Sequence, residues 1–190
     1  MPSAELDAKE HRLLFQVARR ALGGAQPADC TPRDLLSECL AVPAATFVTL
    51  YHRAALRGCV GTLEAQRPLV EDVAHNAWSA AFRDPRFPPL PAAQVDEVAI
   101  AISILGPSEP LMVEDEAQLH RTLRPGVDGV ILSDGRHRST FLPVVWETLP
   151  NPATFTAALR QKAGLPEDHW SDTLKLWRYT VKVLKEPAHA

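Results

Sequence analysis

The chain has 190 residues, 46% hydrophobic and 23% charged, a balance ordinary for a soluble globular protein and sufficient for one sizeable core or two small lobes. With a net charge of −3, a pI of about 6.2 and no basic stripe, it does not look built for nucleic acid or an anionic membrane. Three cysteines without CxxC spacing fit free thiols in a reducing cytoplasm, and the opening "MPSAELDAKEHR" lacks the apolar stretch of a signal peptide.

Asp7, with Glu10 three residues on, predicts a capping box for a first helix. Leu13, Leu14, Val17, Ala18, Ala21 and Leu22 recur at helical spacing, and Gly23-Gly24 ends the run. A second, shorter helix is expected from Thr31-Pro32, with Leu35, Leu36, Cys39 and Leu40 as its stripe. "TFVTLYHRAALRGCVGTL" reads as two strands joined by a turn near Arg53 to Ala55. Alternation along the second strand puts Arg57, Cys59 and Gly61 on one face and Leu56, Gly58 and Val60 on the other.

A long helix follows from Pro68 to Phe82 and stops at Asp84-Pro85. "DPRFPPLP", with four prolines in eight residues, predicts a stiff extended segment. It leads into "VAIAISIL", Val98 to Leu105, too short to span a bilayer and suited to a strand buried on both faces. Glu114 to Leu123 suits a helix, and "GVDGVILSDGRHRSTFLP" a hairpin turning at Asp134-Gly135. Asn151-Pro152 opens a further helix that Gly164 closes. Leu174 to Glu186 reads as one strand returning to the early hairpin's sheet. Helices and hairpins without regular βαβ spacing make this an α+β protein, with residues 1–109 and 171–190 as a larger lobe and 110–170 as a smaller inserted one.

Three stretches carry chemistry. Cys59 sits near Gly58 and Gly61, where backbone amides can approach a ligand, and a thiol reacts as thiolate when positive charge such as that of Arg57 is near. Most free cysteines, however, are small apolar packing residues. In "DPRFPP", Asp84 and Arg86 either pair locally or leave Arg86 to hold a carboxylate or phosphate through its planar fork. "DGRHRS" gathers Arg136, His137 and Arg138 at a hairpin tip, where solvation is the commoner fate. His52, beside the first hairpin turn, is a candidate general base for Cys59. The seven histidines show no zinc-ligand spacing, so no metal is assigned and no cofactor is identified.

Taken in order, these motifs resemble the AMMECR domain family, known in prokaryotes as AmmeMemoRadiSam system protein A. "LRGCVG" is similar to the family's LRGCIG signature, and "AAFRDPRFPPL" to its DPRFPPL block. "VAIAISILGPSEPL", "GVDGVIL", "FLPVVW" and "KAGLPEDHW" follow in family order, so the resemblance runs from about Leu13 to Leu184. Ser139, Thr140 and Arg160-Gln161 depart from the family pattern. The resemblance implies two unequal lobes, each with an antiparallel sheet flanked by helices, and a cleft between them near the LRGC strand. It implies Memo-like and radical S-adenosylmethionine proteins as partners, and no particular reaction. Arg57, Gly58, Cys59, Gly61, Asp84, Arg86 and Phe87 are then the expected site, with Cys59 as candidate catalytic residue and a small anion as ligand. The alternative is a non-catalytic binding or adaptor protein in which Cys59 is structural.

Overall fold

A computed structural model describes residues 6–31 and 37–186, and these divide into two compact units. The first unit runs to Leu105 and resumes at Lys182; the second spans Gly106–Val181. In the first, helix α1 (Ala8–Leu22) is followed by short helices α2 (Pro27–Cys30) and α3 (Glu38–Ala41). Strands β1 (Pro43–Ala44), β2 (Thr46–His52), β3 (Ala55–Gly61) and β4 (Arg67–Pro68) lead to helix α4 (Leu69–Phe82) and strand β5 (Val98–Leu105). The second unit holds β6 (Glu109–Pro110), α5 (Glu116–Thr122), β7 (Gly129–Asp134), β8 (His137–Phe141), α6 (Pro152–Lys162) and β9 (Lys175–Tyr179). Strand β10 (Val181–Lys185) closes the chain's return to the first.

The sheet of the first unit has the order β10-β5-β2-β3, and that of the second β6-β9-β7-β8. Helices and antiparallel pairs in both confirm the α+β class. Asp7 caps α1 as expected, accepting from the backbone of Lys9 and Glu10 while Glu10 reaches back to the Asp7 N–H. The cap satisfies amides that a helix start leaves without partners. α4 lies on β2 and β3, and α1 packs on α4, so Leu14, Ala18, Val73, Ala77, Val48, Leu50 and Ile102 meet in one core.

Asp72, fully buried in the first turn of α4, fixes that helix to the sheet. It accepts from the Thr46 amide at 2.9 Å, the Thr46 and Thr62 hydroxyls at 2.7 and 2.8 Å, and Asn76 Nδ2 at 2.9 Å. Arg67, half-exposed, pairs with its other oxygen at 3.1 Å. A buried carboxylate with this many donors holds one geometry, because each donor it lost would be left unsatisfied.

Several expectations are corrected. β5 buries Val98, Ile100 and Ile102 on one face, while on the other Ala99 is exposed, Ala101 intermediate and Ser103 buried, so the second face is covered only toward the end of the strand. Leu174 to Glu186 is two strands broken at Thr180. β9 pairs with β7 in the second unit and β10 flanks β5 in the first. The second hairpin turns on Gly135-Arg136, one residue later than read, because Asp134 pairs with His137 and Gly135 takes the positive φ of 59°. The helix expected from Thr31-Pro32 lies partly in 32–36, outside the described residues; Ser37 caps α3, the part beyond them.

Candidate functional site

β3 is an edge strand, and its register places Cys59 opposite Thr49 and Gly58 opposite Leu50, but Leu56 opposite Tyr51. Arg57 is therefore the extra residue of a β-bulge, and regular alternation with Cys59 is lost at that point. Gly58 is needed for contact: a Cβ there would stand 2.2 Å from the Ala80 carbonyl oxygen of α4. Gly61 likewise admits the Phe47 ring, whose Cγ would lie 2.2 Å from an added Cβ. Both glycines thus serve packing, and neither side chain position is open to a ligand.

Both backbone groups of Cys59 turn away from β2 to the open edge of the sheet. Its N–H donates to Asp84 Oδ2 at 2.8 Å, and its carbonyl accepts from Arg86 Nη2 at 3.3 Å. Asp84 and Arg86 are joined by Nε–Oδ1 and Nη2–Oδ2 contacts of 3.0 and 2.7 Å, the planar fork of a bidentate pair. The pair imitates a neighbouring strand, the carboxylate standing in for a carbonyl and the guanidinium for an amide, and so blunts the edge. The loop makes this possible by a tight turn, Phe87 N–H to Asp84 O at 3.2 Å, where a fully extended segment was expected. Arg86 and the Cys59 amide hold the Asp84 carboxyl down at about 2, with the Arg86 hydrogen bond the largest cause and burial opposing it.

Because the Cys59–Thr49 pair exchanges no ladder hydrogen bond, the two side chains come close across the strands. The Thr49 hydroxyl donates to Cys59 Sγ at 3.3 Å. Arg57 Nη2 donates to the Pro88 carbonyl at 2.8 Å and its guanidinium lies 5.8 Å from the Phe87 ring centre. Arg86 approaches the same ring at 5.5 Å. Arg57 Nη1 is shielded from solvent and has no acceptor among the described residues. The result is a half-buried thiol with a hydroxyl donor, on a residue whose backbone carbonyl holds Arg86, while Arg57 and Arg86 share one aromatic ring. Two guanidinium groups on one ring can hold an oxyanion between them.

Of the expected site, Arg57, Cys59, Asp84, Arg86 and Phe87 are brought together, while Gly58 and Gly61 face packing partners. The Cys59 amide is taken by Asp84 and so is not free for an oxyanion. His52 pairs with Ala55, about 10 Å along the strand from Thr49 at the usual rise of ~3.3 Å per residue, and it contacts Glu97 at 2.8 Å. It is therefore not the base for Cys59. Thr49 and the Pro88 carbonyl escaped the sequence reading, since only the pairing register puts Thr49 on the thiol. Among the described residues no three His, Cys, Asp or Glu side chains gather as a metal site.

In the second unit, Asp134 accepts from Thr173 at 2.5 Å, His169 at 2.5 Å and Ser171 at 2.7 Å, which holds its carboxyl down at about 2. Its folded value lies below the ordinary 3.8, so its tie to the 169–173 loop is whole above that range and is lost as pH falls toward 2. Asp134→Asn is expected to speed amide exchange at 169–173 at neutral pH and leave β3 unchanged. Of the departures from family pattern, Ser139, Thr140 and Arg160 are internal fittings, while Gln161 is exposed. Ser139 donates to the Leu159 carbonyl at 2.7 Å, and Thr140 to that of Val130 at 2.9 Å. Buried Arg160 spans the Glu167 carbonyl at 2.6 Å and Glu116 at 2.7 Å.

Comparison with known proteins adds a consistent result. The family model described as AMMECR1 matches residues 13–184. A protein of Methanothermobacter thermautotrophicus is 35% identical over 98% of this chain and 99% of its own. Protein MJ0810 of Methanocaldococcus jannaschii is 35% identical over 74% of this chain and 72% of its own. The crystal structure of uncharacterized protein PH0010 from Pyrococcus horikoshii is similar with a TM-score of 0.82 and 31% identity, covering 91% of this chain and 89% of that one.

Proposed function

The chain belongs to the AMMECR1 family, and from that premise we propose that it works with a Memo-like protein and a radical S-adenosylmethionine protein, receiving a small anionic ligand beside Cys59. The observation that carries this reading is the approach of Arg57 and Arg86 to the one Phe87 ring, with Arg86 bonded to the Cys59 carbonyl and one Arg57 N–H having no acceptor among the described residues. Stacking on an aromatic face keeps a guanidinium flat and its edge directed at a ligand. The three free cysteines fit a cytoplasmic setting, and no helix among the described residues is long and apolar enough to cross a membrane.

The test is alkylation of the folded protein by iodoacetate and by neutral iodoacetamide, resolved by peptide mass spectrometry. If an anion site adjoins the thiol, Cys59 favours iodoacetate over iodoacetamide roughly tenfold more than Cys39 does, as focused positive charge raises local anion concentration. Thr49→Val slows both reactions at Cys59, and Thr49→Ser restores them. A Cys59 that reacts only on unfolding, or without preference, removes the ligand half of the proposal.

A second reading has its own observation. The Cys59 backbone is an anchor for Asp84 and Arg86, which is what a structural residue in an adaptor would do. It predicts that Cys59→Ser binds the Memo-like and radical enzyme partners as tightly as the wild type. Loss of that binding in a folded variant would rule it out.

A further inference from the structure

The end of α4 and the loop behind it carry cation–aromatic contacts in series. Arg83 caps α4 and lies with its guanidinium carbon 5.4 Å from the Trp78 ring centre. Trp78 in turn meets Phe82 at 5.7 Å with a 52° tilt. Within the next four residues Arg86 and Phe87 repeat the arrangement, with Arg57 reaching the same ring from β3. Trp78 and Phe82 are only partly covered by the core, whereas Arg83 and Arg86 are exposed.

Charge here is one-sided. Between Trp78 and Pro89 the sole acidic residue is Asp84, which is buried and committed to Arg86 and Cys59. The cations are all arginine, for the chain has no lysine between Lys9 and Lys162. Stacked arginines lose little freedom on meeting carboxylates, and Pro85, Pro88 and Pro89 stiffen the backbone that presents them. Arg, Trp and Phe are also enriched at the centres of protein interfaces.

We propose that this surface docks an acidic segment of a partner protein, a carboxylate meeting the edge of Arg83 and an apolar side chain covering Trp78 and Phe82. Nucleic acid is the less suited occupant, because phosphate tracks are met by longer basic stripes than three arginines on a chain of net charge −3. The inference rests on the reading that this protein has protein partners and is independent of any chemistry at Cys59.

The test uses the full chain and fluorescence anisotropy of a fluorescein-labelled, glutamate-rich peptide with a central phenylalanine. Its lysine-for-glutamate counterpart and a single-stranded oligouridylate serve as competitors. The acidic peptide binds in a salt-sensitive manner, Arg83→Gln weakens it about tenfold and Arg83→Glu abolishes it, with circular dichroism unchanged. Equal binding by both Arg83 variants, no binding to the wild type, or tighter oligouridylate binding through the same arginine each overturns the proposal. Cys59→Ser leaves peptide affinity intact and Arg83→Gln leaves Cys59 alkylation intact, so failure here and failure of the thiol reading are separately visible.

Discussion

Gly58→Ala is expected to destabilise the first unit by about 3 kcal/mol or more, seen as a large fall in the urea midpoint. The added methyl carbon would stand 2.2 Å from the Ala80 carbonyl oxygen and 3.1 Å from its carbon. Those are backbone atoms in the last turn of α4 and have no rotamer by which to escape. Relief requires α4 to move off β3, and the same helix supplies Val73, Ala77 and Ala81 to the core and Asp72 to the Thr46–Thr62 network. Gly61→Ala is the control. Its clash is with the Phe47 side chain, which is half-buried and can turn aside, so the loss is smaller. Equal and small effects at both glycines would mean that α4 and β3 do not meet at Gly58 as described.

Asp84→Ala should cost about 2 kcal/mol and alter Cys59 without touching it. The carboxylate holds the Cys59 amide, the Arg86 amide and two guanidinium nitrogens, and it is 5% exposed. Without it the edge amide loses its acceptor and Arg86, whose side chain is 54% exposed, returns to solvent. Half-exposure of that partner keeps the loss well below that of a fully buried ion pair. The pH dependence has a definite sign. The folded carboxyl sits at about 2 against an ordinary 3.8, so the stability it contributes is present above that range and falls away between about pH 4 and pH 2. Asp84→Asn flattens that acid limb. Urea midpoints at neutral pH and near pH 3 check it, and an unchanged acid limb in the Asn variant would refute the assignment. In either variant Cys59 alkylation departs from the wild-type rate, since the strand edge that orients the thiol has been freed.

The elements with local signatures were legible. Asp7 and Glu10 announce α1, Asn151-Pro152 announces α6, and apolar spacing traces α4 to within one residue at its start. Each of these depends on residues within one or two turns of each other. The motif strings made the family legible too. What failed was pairing. Leu174 to Glu186 alternates as if continuous, and nothing in its pattern says that Lys175–Tyr179 joins β7 while Val181–Lys185 goes to β5's sheet. A break at one exposed threonine leaves little trace in composition.

The candidate site divides along the same line. By itself the sequence determined which residues are present: a thiol between glycines, an Asp-Pro-Arg-Phe loop stiffened by proline, and an all-arginine stretch of positive charge up to Lys162. Those properties follow from side-chain chemistry and near-neighbour sterics. Only the tertiary structure decided what they do to one another. The bulge at Arg57, the approach of Ala80 to Gly58, the donation from Thr49 to the sulfur and the capture of the Cys59 amide by Asp84 join residues 5 to 25 positions apart. Their geometry is set by strand register and by helix-to-sheet packing, which are properties of the whole core and are encoded in no single segment.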